Sequence, residues 1–234
     1  MSFWQATMKR SVRLSRTYFI LGVGMAVFGT IVSNMSSFIP ADIINIESTS
    51  IDLMSSIPLA SVALLSLSAV IFSTPVVMLF VFDKNTGVLE YLLSTGLDQL
   101  DVYKGYVKAS LSLASIVLAF SSVFNIAIGI YLGTSLGLLA NKVVITFAMG
   151  ISAVLLATVS MMAFSSLQKS TVGANQPLGT MIGIIPMLPA LMVPFFFPSY
   201  AIVIVISIAV VTSLFSLAVL LLSSRLIPRE KLLP

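Results

Sequence analysis

The chain has 234 residues, of which 58% are hydrophobic and only 9% charged, and its mean hydropathy of +1.12 lies far outside the range of soluble domains. It has no cysteine and no histidine, which excludes thiolate chemistry, disulfides, the usual zinc sites and every histidine-based catalytic arrangement. The net charge of +4 follows from where basic residues flank apolar segments, and no nucleic-acid site is read from it.

Residues 2–16 come first. On a helical wheel Phe3, Trp4, Met8, Val12 and Leu14 gather on one side and Lys9, Arg13 and Arg16 on the other, the pattern of an amphipathic helix in the membrane interface. Trp4, Lys9, Arg13 and Arg16 are candidates for contact with lipid or with a partner protein.

Apolar runs at 18–39, 57–82, 109–132, 142–164, 176–194 and 200–223 are each long enough to cross a hydrocarbon layer of about 30 Å, which takes about 20 helical residues. The expected fold is therefore an all-α polytopic membrane protein with six spans and a single domain over 1–234. The first run exceeds a signal-peptide core and is read as an uncleaved span. Pro75 is expected to kink the second span, and Pro186, Pro189, Pro194 and Pro198 to break up the fifth span and the segment after it.

With these spans, Lys9, Arg10, Arg13, Arg16, Lys84, Lys104, Lys108, Lys169, Arg225, Arg229 and Lys231 fall on one side and Lys142 alone on the other. The positive-inside rule then places both termini and the 83–108 loop in the cytoplasm of a cell with the protein in its plasma membrane.

That loop is the unusual element. Asn85 or Thr86 can start a short helix ending at Leu93, Ser94 to Gly96 break it, and Thr95 with Asp98 fits an acidic capping box that starts a second helix at Leu97, running on into the third span. A structureless connection of this length is uncommon, so a docking role is expected.

Serines are frequent in the spans, and Ser68, Ser115, Ser122 and Asn125 are candidates for a weakly polar transport path or, alternatively, for hydrogen bonds that join helices. No charged residue lies near the middle of a span, which argues against a proton- or sodium-coupled carrier. Gly129, Gly133 and Gly137 suggest a small-residue ridge, and Gly179 with Gly183 a second one. The Gly133 to Gly137 stretch matches G-x-S-x-G, but without a histidine it has no base to activate the serine, and no catalytic residue or metal site is assigned.

The stretch TGVLEYLLSTGLDQLDVYKG resembles the cytoplasmic loop of type-2 ATP-binding-cassette (ABC) export permeases, commonly G-T-L-E-x-L-L-x-T-P followed by a helix with an acidic residue and a G-K pair. Gly87, Leu89, Glu90, Leu92, Leu93, Thr95, Leu97, Asp101 and Gly105 fall on that pattern. Gly96 stands where the family usually has proline, and Tyr106 where it usually has lysine. The resemblance implies that the short helix is a coupling helix whose contact with a separate ATPase subunit uses Gly87, Leu89, Glu90, Leu92, Leu93, Thr95, Gly96 and Leu97. It also implies a second permease subunit, as homo- or heterodimer, with Gly179 and Gly183 near that interface. The chain has no G-x-x-x-x-G-K-[ST] loop, so ATP and magnesium are expected on the partner. The function implied is ATP-driven export of a hydrophobic or amphipathic substrate. A membrane scaffold that docks a cytoplasmic protein through the same loop is the alternative.

Overall fold

A computed structural model describes residues 3–34, 53–167 and 200–226, together with 185 and 188. Within them lie seven helices in the order α1 (Phe3–Leu14), α2 (Arg16–Asn34), α3 (Leu53–Asn85), α4 (Val88–Ser94), α5 (Gln99–Tyr131), α6 (Leu136–Leu167) and α7 (Ala201–Leu226), with no strand among the described residues. Five of them contain stretches long and apolar enough to cross a membrane: Arg16–Asn34, Val62–Asn85, Gln99–Tyr131, Leu139–Ser166 and Ile202–Leu222. The protein is thus an all-helical, multi-pass membrane protein. Apart from Ile185 and Leu188, the expected span at 176–194, with Gly179, Gly183 and the prolines from Pro186 to Pro198, lies outside the described residues.

At about 1.5 Å per residue, α3 and α5, with 33 residues each, are about 50 Å long and overrun a bilayer core of about 30 Å. The second span does not stop at 82, and α3 continues through Asp83 and Lys84 to Asn85. It also passes Pro75 without interruption, so the expected kink does not break the helix. The third span is continuous with the second helix of the loop, as α5.

Helices α2, α3, α5 and α6 form the packed bundle. Their contact faces are built from small side chains, because with lipid on the outside no hydrophobic drive favours helix over lipid, and close van der Waals approach has to do the work. On α2 the buried residues are Gly22, Ala26, Gly29, Thr30, Ser33 and Asn34. On α5, Ser110 meets Thr158 of α6 at 2.7 Å. One apolar cluster at the centre joins Ala26, Ala69, Val70, Ala114, Leu118 and Ala153. α7 packs on α6 at the edge of this bundle, through Val205 and Ala209 against Ile145 and Met149, with only 17% of its span buried and Val203, Val211 and Leu214 exposed. Apolar exposure of this kind is the normal lipid-facing surface of a membrane helix.

The ends of the helices sort cleanly. The start of α5 and the ends of α3, α6 and α7 meet in one cluster that holds Phe80, Tyr103, Tyr106, Met162 and Leu220, and α1 and α4 sit on it. Ser33 of α2, Asn125 of α5 and Lys142 of α6 mark the opposite end. The expected glycine ridge is corrected by these helix ends. α5 stops at Tyr131, so Gly133 lies in the next turn and Gly137 is exposed on α6, while Gly129 alone packs, against Leu139.

Gly22 tests the close packing. A Cβ there would stand 2.8 Å from Cδ2 and 3.1 Å from Cβ of Phe72. Gly22→Val is expected to cost about 1–3 kcal/mol through overpacking, read as a lower melting temperature of the purified protein in detergent.

Candidate functional site: a polar hub beneath a short helix

The last turn of α3 carries two adjacent charged residues, Asp83 and Lys84, both buried. Burying a charge is costly unless it is compensated: Asp83 is ion-paired and hydrogen-bonded, and Lys84 donates a hydrogen bond. The Asp83 carboxylate accepts both Arg10 guanidinium nitrogens, at 3.1 and 2.6 Å, and the Tyr106 hydroxyl at 2.5 Å. A two-pronged arginine contact is the strongest geometry for this pair. It fastens α1 to the end of α3, while Tyr106 brings in α5.

Lys84 serves the other side. Its Nζ donates to the Ser165 carbonyl of α6 at 2.5 Å. Carbonyls in the last turn of a helix have no partner within it, and a cation there also meets the negative end of the helix dipole. Lys84 is therefore a C-terminal cap for α6. The Tyr103 hydroxyl reinforces the joint by its 2.8 Å hydrogen bond with Ser166.

Aromatic packing surrounds these polar contacts. Tyr106 takes edge-to-face contacts with Phe3 and Phe80, with centroids 5.6 and 5.1 Å apart, and Tyr103 stacks on Phe80 at 5.7 Å. Phe3 lies directly over Gly105, where any Cβ would collide with its ring. The face of α1 that meets the bundle is thus Phe3, Thr7, Arg10 and Ser11, with Met8 at its edge. The apolar side over Phe3, Trp4, Met8, Val12 and Leu14 coincides with this protein-facing side only in part, through Phe3 and Met8. Thr7 and Ser11 are buried with their hydroxyls on the Phe3 and Met8 carbonyls, whereas Val12 and Leu14 are exposed. Lys9, Arg13 and Arg16 are exposed, and Trp4 is half-buried.

α4 hangs from this hub by the two-residue turn Thr86–Gly87. Gly87 has φ 76, in the left-handed region that glycine enters without a Cβ penalty, and its carbonyl accepts from Tyr91 at 3.0 Å. The helix starts at Val88, after that turn, and ends at Ser94, where Gly96 turns the chain with φ 88. Proline, fixed near −65°, cannot adopt that conformation, so this glycine makes a turn that the proline of the resembled pattern could not. Thr95 does not cap the next helix. Its hydroxyl bonds back to the Leu92 carbonyl at 2.7 Å, and Asp98 is the cap, accepting from the Gln99 N–H at 2.9 Å. The capping box at Thr95 and the start at Leu97 are corrected accordingly, because Gly96 separates Thr95 from α5.

The residues expected to meet a partner divide between two faces. Leu89 is 1% exposed and seals α4 onto the hub cluster, and Leu92 and Leu93 pack against the same cluster, half-buried. Glu90, Thr95, Gly96 and Leu97 are exposed, and Gly87 is intermediate. A small crevice beneath α4 is lined by Phe80, Leu89, Leu93, Gln99, Val102 and Tyr103.

The expected path residues fall on two helices, Ser68 on α3 and Ser115, Ser122 and Asn125 on α5. Ser68 is fully buried with its hydroxyl on the Leu65 carbonyl at 2.6 Å, Ser122 is buried, Ser115 is half-buried, and Asn125 donates to Ser33 at 3.1 Å near the opposite end. Sequence reasoning misses Asp83, Arg10 and the role of Tyr106. The one signal for them is Tyr106 itself, standing where the resembled pattern has lysine. No group of potential metal ligands occurs among the described residues.

Fold and site together define a multi-pass helical membrane protein with a short helix pinned to one end of its bundle. No family model matches the chain, and no curated protein or solved structure matches it.

Removing one partner of the hub leaves the other charge buried. Arg10→Gln is expected to cost about 1–3 kcal/mol, below the range for fully buried pairs because the Arg10 side chain is 44% exposed. Trypsin should then cut at Lys9 and Arg13 faster than in the parent. Adding Asp83→Asn should recover most of the loss, a coupling that a double-mutant cycle in thermal melts measures.

Proposed function

We propose that the protein is the membrane-spanning subunit of an ATP-driven exporter of the type-2 ABC kind, with α4 as the coupling helix that engages a separate ATPase subunit. The observation that carries this reading is α4 itself. A seven-residue helix, sealed by Leu89 and suspended from a charged hub that reaches α1, α5 and α6, is built to pass force between a partner and the bundle.

Three features support it. The sequence lacks a phosphate-binding loop, so ATP and magnesium belong on the partner. The buried charges among the described residues lie at the ends of helices and not at mid-span, which leaves nothing on them for a proton- or sodium-coupled cycle to use. The Lys and Arg bias favours a cytoplasmic α4 end, and the membrane in this reading is the plasma membrane. α6 ends beside α4 and α7 begins at the opposite end, so with 176–194 as the sixth crossing both termini lie on the cytoplasmic side. The working unit in this reading contains two permease subunits, and the cargo is hydrophobic or amphipathic.

A scaffold that uses α4 to hold a cytoplasmic protein is the second reading. What favours it is that Ser68 is buried with its hydroxyl on its own helix backbone and so lines no path.

Glu90 is exposed and its replacement leaves the hub intact. Glu90→Arg is expected to lower co-purification of an ATPase subunit by about tenfold or more while the variant stays monodisperse in detergent. Retained association together with ATP-dependent transport would sink the coupling role of α4. Association with a protein that does not bind ATP would favour the scaffold.

A further inference from the structure

The leucines of α4 face the bundle, and the large aromatic side chain standing outward is Tyr91. The residue is 67% exposed, next to exposed Glu90, with Leu97 37% exposed beyond the turn. Tyrosine offers a large, rigid contact area at low entropic cost, and such residues dominate binding when held in place beforehand. The backbone that carries Tyr91 is fixed in this way: Leu89 seals the helix onto the hub, and the Tyr91 N–H bonds to Gly87 at the turn.

Charge indicates what would cover it. Among the described residues the exposed carboxylates are Glu90, Asp98 and Asp101, all within 90–101. The exposed cations Lys9, Arg13 and Arg16 belong to α1 and the start of α2, while Arg10 between them is bound to Asp83. Lys104 and Lys108 stand further along α5, Lys104 within 3.9 Å of Asp101. This end of the molecule is therefore polarised, acidic around Tyr91 and basic along α1. Complementary charge sets orientation and suppresses wrong partners more than it adds affinity.

We propose that Tyr91 is the side chain that enters the partner's groove, and that this groove has an apolar floor and a basic rim facing Glu90 and Asp98. The partner's surface opposite Lys9 and Arg13 is correspondingly acidic, so the two proteins meet in one orientation. The inference rests on the exporter reading for the partner's identity, and adds the inserted residue and the chemistry of the groove.

The test places the photo-crosslinker p-benzoylphenylalanine at position 91 of the full chain, and in separate variants at positions 95 and 97, with irradiation of native membranes. The expected result is a strong adduct at 91 with a protein that carries G-x-x-x-x-G-K-[ST] and takes up radiolabelled 8-azido-ATP, its crosslinked peptide rich in Lys or Arg. Tyr91→Ala should cut co-purification of that ATPase by about tenfold, while Tyr91→Phe retains it, because the ring and not the hydroxyl makes the contact.

ATPase adducts at 95 or 97 with none at 91 would overturn the role of Tyr91 and leave the exporter reading standing. No ATPase adduct at any of the three positions would overturn both. A crosslinked peptide that is acidic would refute the basic groove, and an adduct with a second copy of this chain would show the face to be a self-contact.

Discussion

The buried carboxylate of Asp83 is the constraint on which the α4 end of the molecule depends. An ionised carboxylate without solvent must be surrounded by donors, and its three come from two helices, Arg10 of α1 and Tyr106 of α5. The next residue, Lys84, has the same need with opposite sign and meets it at the end of α6. Two consecutive residues on one helix point about 100° apart, so their side chains reach different neighbours. One turn of α3 thereby fixes the positions of three other helices. A hydrophobic contact at the same place would tolerate sliding, whereas a two-pronged ion pair does not.

That arrangement explains why α1 packs as it does. In a soluble protein the apolar stripe of a helix marks its buried face, but beside a membrane an apolar side chain can face lipid at no cost. The wheel over residues 2–16 therefore cannot distinguish the protein-facing side from the lipid-facing one. Arg10 settles the rotation: once it reaches Asp83, Thr7 and Ser11 turn inward and Val12 turns out. Small hydroxylic residues suit this position because their side chains bond to their own helix backbone and let the two surfaces approach. Gly105 completes the fit by leaving room for Phe3.

Composition and apolar length made the membrane class and the five described long helices legible, with ends within a few residues for most. The helix, break and helix between α3 and α5 was also legible, because Gly96 and the surrounding Ser, Thr and Asp signal a turn locally. The hub was not. Asp83 lies 73 residues from Arg10 and 23 from Tyr106, and Lys84 lies 81 from Ser165, so no window on the sequence contains a pair. In isolation Asp-Lys after an apolar run reads as the polar end of a span. The capping signal failed for a related reason. Thr95 and Asp98 have the right spacing, but Gly96 in a left-handed conformation ends one helix between them and leaves the cap to Asp98.

α4 is tied to the bundle on both sides. Its link to α3 is the turn at Thr86 and Gly87, short enough that a shift of α4 must pull on the last turn of α3. Asp83 and Lys84 occupy that turn, so the pull divides at once between α1 and α5 on one branch and α6 on the other. On the far side α4 leads through Gly96 to Asp98 and α5, the helix that also supplies Tyr103 and Tyr106 to the hub. α5 is therefore joined to α4 twice, by the chain through Gly96 and by the hub through Tyr103 and Tyr106. From there it runs unbroken to the opposite end of the bundle, where Asn125 donates to Ser33 of α2.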